Sequence, residues 1–463
     1  MMRTALRILR RLSPRTADVV LDICLNLRGS RIAELQAELR VVRLHLEAHQ
    51  SSEAALHDSL ARIGANRAAC SGGVAVISAM PPMETGIAKY TRSTFRHADY
   101  PVDIYTAYTS FCDYADNMHD PLLSGSNVRV FDLQALSYGR QKMNYAVEIY
   151  VLGNSNHNMG SYRALRRTAV SGGAKEVWVY IHDPCLLNIL GLVYDTPERF
   201  TGAIRTAYPD LAAGLDLAKA AGDHQMLTRA GIMGVRALLS GIPVDRFVVN
   251  SRAAGDLLRS DDPSLHPDRI LQLFLPVFPV PKHHGAVCQG PTSIGTFGLP
   301  STAKRTELII EAVQLLRRQI PEVMLLIAGY NAAAYATQIG IETLPFVRIE
   351  DAPGDRTLLE LMRSVDIAVQ LRWSDLGESS GVVPQLLASG VPVIVTAVGS
   401  FLEYGDAVQA VPPSITATEL ATILLAELQS PEQRRHSAEQ YVAAHGPEKF
   451  CQQLMDSLRS PGL

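Results

Sequence analysis

Between Asp366 and Tyr404 the chain reads DIAVQLRWSDLGESSGVVPQLLASGVPVIVTAVGSFLEY, and its polar side chains there include Arg372, Glu378, Ser379, Ser380 and Gln385. Arg372 and Glu378 read as a buried charge pair within a turn-rich loop. The flanking residues decide where that loop lies. DIAVQL is a short apolar strand, VVPQLLASG a helix closed by Gly390, and VPVIVT a second apolar strand. Such a unit is a βαβ crossover, which puts its loop at the carboxyl ends of parallel strands, where open α/β sheets bind ligands. Helix N-termini suit anions, and a carboxylate accepts hydrogen bonds from sugar hydroxyls. A site needing both is a nucleotide-sugar site.

Other residues could serve the same chemistry. Lys304 and Arg305 follow the strand TSIGTFGL and open a helix, STAKRTELIIEAVQLLRRQIP, stopped by proline. Each is either a clamp for a diphosphate or a solvated helix-start cation. Gly86 stands where the strand VAVISAM passes through PPMETG into a helix from Ile87. His182 and Asp183 end the strand VWVYIHD, where a histidine either donates to a sugar oxygen or is satisfied in the core.

The elements that must position these residues alternate along the chain. Strands are expected at 74–80, 102–107, 146–153, 177–183 and 246–251, with helical patterns between them, and a second α/β series follows from TSIGTFGL. The segment from Pro276 to Pro291, rich in Pro, Gly and His, reads as an inter-domain linker. At 463 residues two domains plus appendages are expected. A heptad runs over residues 30–64 through Leu35, Leu39, Leu46, Leu56, Leu60 and Ile63, with polar breaks at His49 and Glu53. It is either a self-association or partner helix, or an amphipathic helix docked on the globular body. Gly64 to Gly73 would then be a hinge.

Composition excludes several classes. A net charge of −3 argues against nucleic acid as the main partner. No apolar run is long enough to span a bilayer. The start, MMRTALRILRRLSPR, has five arginines and no acid, and reads either as a basic helix touching an anionic membrane or as a solvated helix end. Six scattered cysteines (24, 70, 112, 185, 288 and 451) lack metal-like spacing and read as reduced thiols in a cytoplasmic protein, at most peripheral at the inner face of the membrane. GxGxxG and Walker A are absent. Gly377-Glu378-Ser379-Ser380-Gly381 fits G-x-S-x-G, but RWSDL separates it from its strand, which disfavours a hydrolase elbow.

PPMETGIAKY (81–90), GNSNHN (153–158), YIHD (180–183), VVNS (248–251), GTFGLPSTAKR (295–305), LRWSDLGESSG (371–381) and GVPVIVTAVGSFLEY (390–404) occur in one order. In that order they resemble family 4 glycosyltransferases, particularly bacterial ones of surface polysaccharide biosynthesis. The resemblance covers about residues 74 to 460 and implies a GT-B fold: two Rossmann-like doubly wound domains facing a cleft, here with an N-terminal helical extension. The expected parts are residues 1–70, an acceptor domain at 74–280, a nucleotide-sugar domain at 281–445, and a helix at 446–463 crossing back.

The resemblance also implies a retaining, metal-independent transfer to a glycan or lipid-linked acceptor, without a cofactor. Consistently, the chain has no D-x-D triplet. It places Lys304, Arg305 and Arg372 on the diphosphate, with Ser379 and Ser380 nearby. Glu378 falls on the donor sugar, His182 on sugar or acceptor, Thr85 and Asp183 on the acceptor side, and Gly86 where backbone approaches the diphosphate. Two positions depart from the family. Gln385 replaces a second glutamate expected on the ribose, and Leu299 replaces an arginine after the GTFG glycine. Two alternatives stay open: a GT-B sugar-nucleotide epimerase, or a catalytically weak body acting as a scaffold through its heptad.

Overall fold

The computed structural model describes residues 52–65, 73–173, 175–280, 291–373 and 377–459. The apolar runs of the first half pair into one parallel sheet of seven strands. These are β1 Val74–Ile77, β2 Val102–Thr106, β3 Val128–Asp132, β4 Val147–Leu152, β5 Glu176–Ile181, β6 Arg246–Val249 and β7 Ile270–Gln272, in the order β3-β2-β1-β4-β5-β6-β7. A second parallel sheet holds β8 Ser293–Phe297, β9 Met324–Gly329, β10 Val347–Asp351, β11 Ile367–Gln370, β12 Val393–Thr396 and β13 Gln409–Val411, in the order β10-β9-β8-β11-β12-β13. Strand order reverses between β1 and β4 in one sheet and between β8 and β11 in the other. At such a reversal the helices leave to opposite faces and a crevice opens at the carboxyl ends.

Parallel strands between two helix layers must be apolar on both faces. Period-two alternation then splits each core in two. In the first sheet Ala75, Ile77, Tyr105 and Val179 face one half-core, and Val74, Val76, Ile104 and Trp178 the other. Register is tight around β1, with Ile77 opposite both Tyr105 and Tyr150. Four strands escape the sequence expectation: β3, β7, β10 and β13. Each is a sheet edge and mixes polar with apolar residues (VRVFD, ILQ, VRIED, QAV).

The helix expected from Ser301 is shorter than its sequence pattern. A 3₁₀ turn, Thr302–Lys304, comes first, Arg305 adopts φ 55°, and the helix proper runs Thr306–Leu316. The Ser301 hydroxyl accepts the Lys304 N–H at 3.3 Å and closes the turn.

Two segments join the halves. One leaves β7 and continues into the expected linker, whose residues 281–290 lie outside the described residues. The other follows the helix Glu432–Ala444. The Val277 N–H donates to the His445 carbonyl at 2.9 Å, pinning the two crossings together. Beyond them the helix Pro447–Arg459 buries Phe450, Cys451, Leu454 and Met455 in a half-core of the first sheet.

Residues 52–65 are helical and, over this stretch, follow the docked-helix alternative for the heptad. The end of its seam faces the protein's own first sheet: Ile63 is buried in that core, and Leu56 and Leu60 pack against it. Buried Ser59 accepts the Asp132 N–H at 2.9 Å and donates to the Tyr114 hydroxyl at 3.2 Å, while Arg62 donates to the Val130 carbonyl at 3.0 Å. This stretch is a docked helix. Residues 30–51, and most of the expected hinge, lie outside the described residues.

A chain starting near residue 51 keeps the whole docked helix. One starting near residue 70 should lose at least about 3 kcal/mol, the scale of uncovering one buried aliphatic and its hydrogen-bonded neighbours. Urea unfolding of the two truncations checks this, and equal stabilities would contradict the docking role.

Candidate active site

The loop after β8 presents the first cation. Gly298 has φ +92°, and a Cβ there would lie 2.9 Å from the Lys304 amine, so a glycine lets the ammonium lie over the backbone. Gly329 accommodates the same bend, because its own Cβ would come within 2.2 Å of the Gly298 carbonyl oxygen. Lys304 is half-buried at the carboxyl end of the sheet.

The loop after β11 supplies the second cation and the carboxylate. The Arg372 N–H is fixed by the Thr396 hydroxyl at 2.9 Å, and its guanidinium lies 4.8 Å from the centre of the Phe401 ring. Its Nη1 donates to the Glu378 carbonyl at 3.2 Å, which also accepts from Ser400 at 3.0 Å. The expected buried charge pair takes a different form: Arg372 holds Glu378 by its backbone, and the Glu378 side chain is exposed. Lys304 feels both partners. Burial, and then the nearby Arg372, push its pKa down to about 8, with Glu378 opposing. Lys304, Arg372 and Glu378 thus meet at the β8–β11 switch point.

Arg305 does not join them. It is 4% exposed, and its guanidinium donates to the carbonyls of Pro413 at 2.6 Å and Ile415 at 2.7 Å. Its carbon sits 4.2 Å from the Trp373 ring centre. Arg305 ties the Lys304 turn to the loop after β13, and is not available as a phosphate clamp. Ser380 is likewise occupied: it is buried, and its hydroxyl accepts the Val383 N–H at 3.4 Å at the start of the helix Val382–Ala388. Ser379 is half-buried, and Gln385 is exposed on that helix. Leu299 is 49% exposed beside Gly298.

The first domain faces this group. Thr85 caps the helix Gly86–Phe95, its hydroxyl accepting the Ala88 N–H at 3.0 Å. A Cβ on Gly86 would meet nothing within 4 Å, so that backbone borders open space. His182 is tilted against Tyr180 at 4.2 Å and lies 6.4 Å from Tyr90. Burial pushes its pKa down to about 4, so the imidazole is neutral near pH 7. Asp183 accepts the Cys185 N–H at 3.0 Å and shapes the turn after β5.

Three residues given no role in the sequence complete the cleft. Tyr90 belongs to the PPMETGIAKY segment, and a Cβ on Gly381 across the cleft would touch its ring at 3.7 Å. The Tyr90 hydroxyl and the Gln370 amide nitrogen are buried with no hydrogen-bond partner among the described residues. Gly377 has φ +81°, and a Cβ there would come within 2.6 Å of Pro184, 2.9 Å of Leu257 and 3.1 Å of Ala254. Positive φ and close approach at Gly377 let the loop after β11 seat against the opposite domain. Only the placement of its neighbours reveals this, because G-x-S-x-G draws attention to the serine.

Comparison with known proteins bears on the fold. The chain matches the structure of sucrose-phosphate synthase from Thermosynechococcus elongatus at a TM-score of 0.55, with 16% identity over 84% of this chain and 98% of that one. HepE from Anabaena, solved with UDP-glucose, gives a TM-score of 0.54 and 14% identity over 84% of this chain and all of its own. The fold is GT-B. At these identities the likeness extends to the fold alone. Residues 291–429, the span of the second GT-B sheet, match the family described as Glycosyl transferases group 1. No curated protein matches the chain. Among the described residues no group of three or more His, Cys, Asp or Glu is placed to hold a metal ion.

The strained lysine gives a prediction. Between pH 8 and its unfolded value near 10.4 the unfolded chain binds more protons at Lys304 than the folded one, so stability should rise with pH across that window. Below pH 8 the folded state bears the whole penalty, at most about 3 kcal/mol. Lys304→Met should therefore raise the melting temperature at pH 7, and scanning calorimetry on the two proteins decides it.

Proposed function

We propose that the protein transfers a sugar from a nucleotide-diphosphate sugar to a glycan or lipid-linked acceptor, retaining anomeric configuration and without a metal ion. The observation that carries this reading is the meeting of Lys304, Arg372 and Glu378 at the β8–β11 switch point. Two like charges that repel one another form a site already biased toward an anion. A diphosphate gains charge as its bond to the sugar breaks, so its stabilisation grows along the reaction.

In this scheme the bond from the anomeric carbon to the diphosphate breaks, and the acceptor oxygen bonds that carbon on the same face. The acceptor proton passes to the departing phosphate oxygen, so no protein base is required. Lys304 and Arg372 neutralise the leaving group and Glu378 holds hydroxyls of the moving sugar. His182, neutral, hydrogen-bonds sugar or acceptor, while Gly86 leaves room for the diphosphate. The contact of Gly377 with Pro184 and Leu257 limits water around the donor. The resemblance to family 4 glycosyltransferases supports a role in bacterial surface polysaccharide synthesis. HepE, solved with UDP-glucose, makes a UDP-sugar the first donor to test.

Glu378→Ala and Lys304→Met should each lower transfer on the order of 100- to 1000-fold with the fold retained. Calorimetry with nucleoside diphosphates should give an affinity that is flat between about pH 7 and 8, where the terminal phosphate is already ionised. Above pH 8 the affinity should weaken about tenfold per pH unit as free Lys304 loses the proton that the bound anion would retain. That pH dependence should vanish in Lys304→Met. Binding of no nucleoside diphosphate would refute the reading.

The electrically neutral His182 predicts a further behaviour. The rate of transfer should show no ionisation between pH 5.5 and 7.5 that His182→Gln removes, because the imidazole titrates only near 4. A pH–rate profile of the two proteins checks this.

A further inference from the structure

The helix Met159–Ser171 follows β4 and turns two different faces to its surroundings. Tyr162, Leu165 and Thr168 are buried. Arg163, Arg166, Arg167 and Val170, at helical spacings of three and four, make one exposed stripe, with Val170 93% exposed. Between this stripe and the helix Leu136–Met143 lies a groove of about 580 Å³, with Leu133 and Leu136 in its lining. Arg140, at its side, is spoken for: it donates to buried Glu148 at 2.5 and 2.9 Å.

The charge here departs from that of the whole chain. Residues 133–175 contain six basic residues and one acid, Glu148, in a protein of net charge −3. Glu148 is already neutralised, so the exposed cations face solvent in excess. The remainder of the chain enters at the same place. The Gln134 amide donates to Ser52 at 3.3 Å, and Gln134 lines the groove, so residues 1–51 join the described body at its rim. The first fifteen of those residues carry five arginines interleaved with Leu6, Ile8, Leu9 and Leu12.

We propose that this face docks onto the surface of an anionic phospholipid bilayer, independently of the reaction in the cleft. Cations beside the exposed Val170 suit a headgroup layer over hydrocarbon, where arginines meet phosphates and an apolar side chain enters the boundary. A nucleic acid would use the charge and leave Val170 without a role. The negative charge of the rest of the molecule is repelled from such a surface, which orients this face toward it.

The test uses the full chain and flotation with vesicles of phosphatidylcholine alone or with phosphatidylglycerol added. The full chain should float with the anionic vesicles and not with the neutral ones, and high salt should release it. Arg163→Gln/Arg167→Gln changes two exposed side chains that make no ion pair with the described residues. It should keep the melting temperature and lower partitioning about 30-fold, from roughly one phosphate-surface contact per arginine. Val170→Ser should weaken it further. Equal partitioning of the double variant and the parent overturns the proposal, even if deleting residues 1–15 abolishes binding. Capture by poly-glutamate with no binding to vesicles overturns it in favour of an acidic protein partner.

Discussion

Two positive charges held within reach of each other at the ends of β8 and β11 are the constraint around which the second domain is arranged. Left alone, Lys304 and Arg372 would swing apart into solvent. The protein prevents this by several independent means. Backbone bends at Gly298, with Gly329 making room, keep the lysine turn close to the sheet. Arg305 anchors that turn to the loop beyond β13 through two carbonyls. Thr396 and Ser400, from the next strand and loop, fix the backbone on either side of the Arg372 guanidinium. Electrostatic tension of this kind is tolerable only where surrounding packing over-determines the geometry.

Much of this arrangement was legible in the residues. The buried strands announced themselves as apolar runs, because central parallel strands need apolar residues on both faces. The strands at the edges did not: β10 and β13 carry too few apolar residues to stand out, and pairing with a formed neighbour, not intrinsic pattern, makes them strands. The site shows the same division. The positions of Lys304, Arg372, Glu378, His182 and Gly86 around the ends of strands could be read because charge and place beside an apolar run are local properties. Arg305 was misread because its role depends on carbonyls more than a hundred residues away. Tyr90, Gln370 and Gly377 went unassigned for the same reason: burial without a partner, or contact across a cleft, is a property of the assembled chain.

The heptad teaches a related lesson. A repeat of apolar residues at spacings of three and four states only that one face of a helix must be covered. It does not state by what. Here Ile63 and its neighbours are covered by the sheet of the same chain, and Ser59 and Arg62 add hydrogen bonds that a symmetric seam would not need.

The paired crossings at Val277 and His445 have one more consequence. Because the closing helix Pro447–Arg459 returns to the first sheet, the second domain is an insertion within the first in terms of chain connectivity. An exchange of the second domain between related proteins would have to cut at both crossings and leave the final helix with its original host. A chimera joined at a single point would pair that helix with a foreign surface and leave Phe450 without its pocket. Recombination in nature faces the same geometry, which favours replacement of the second domain as a cassette.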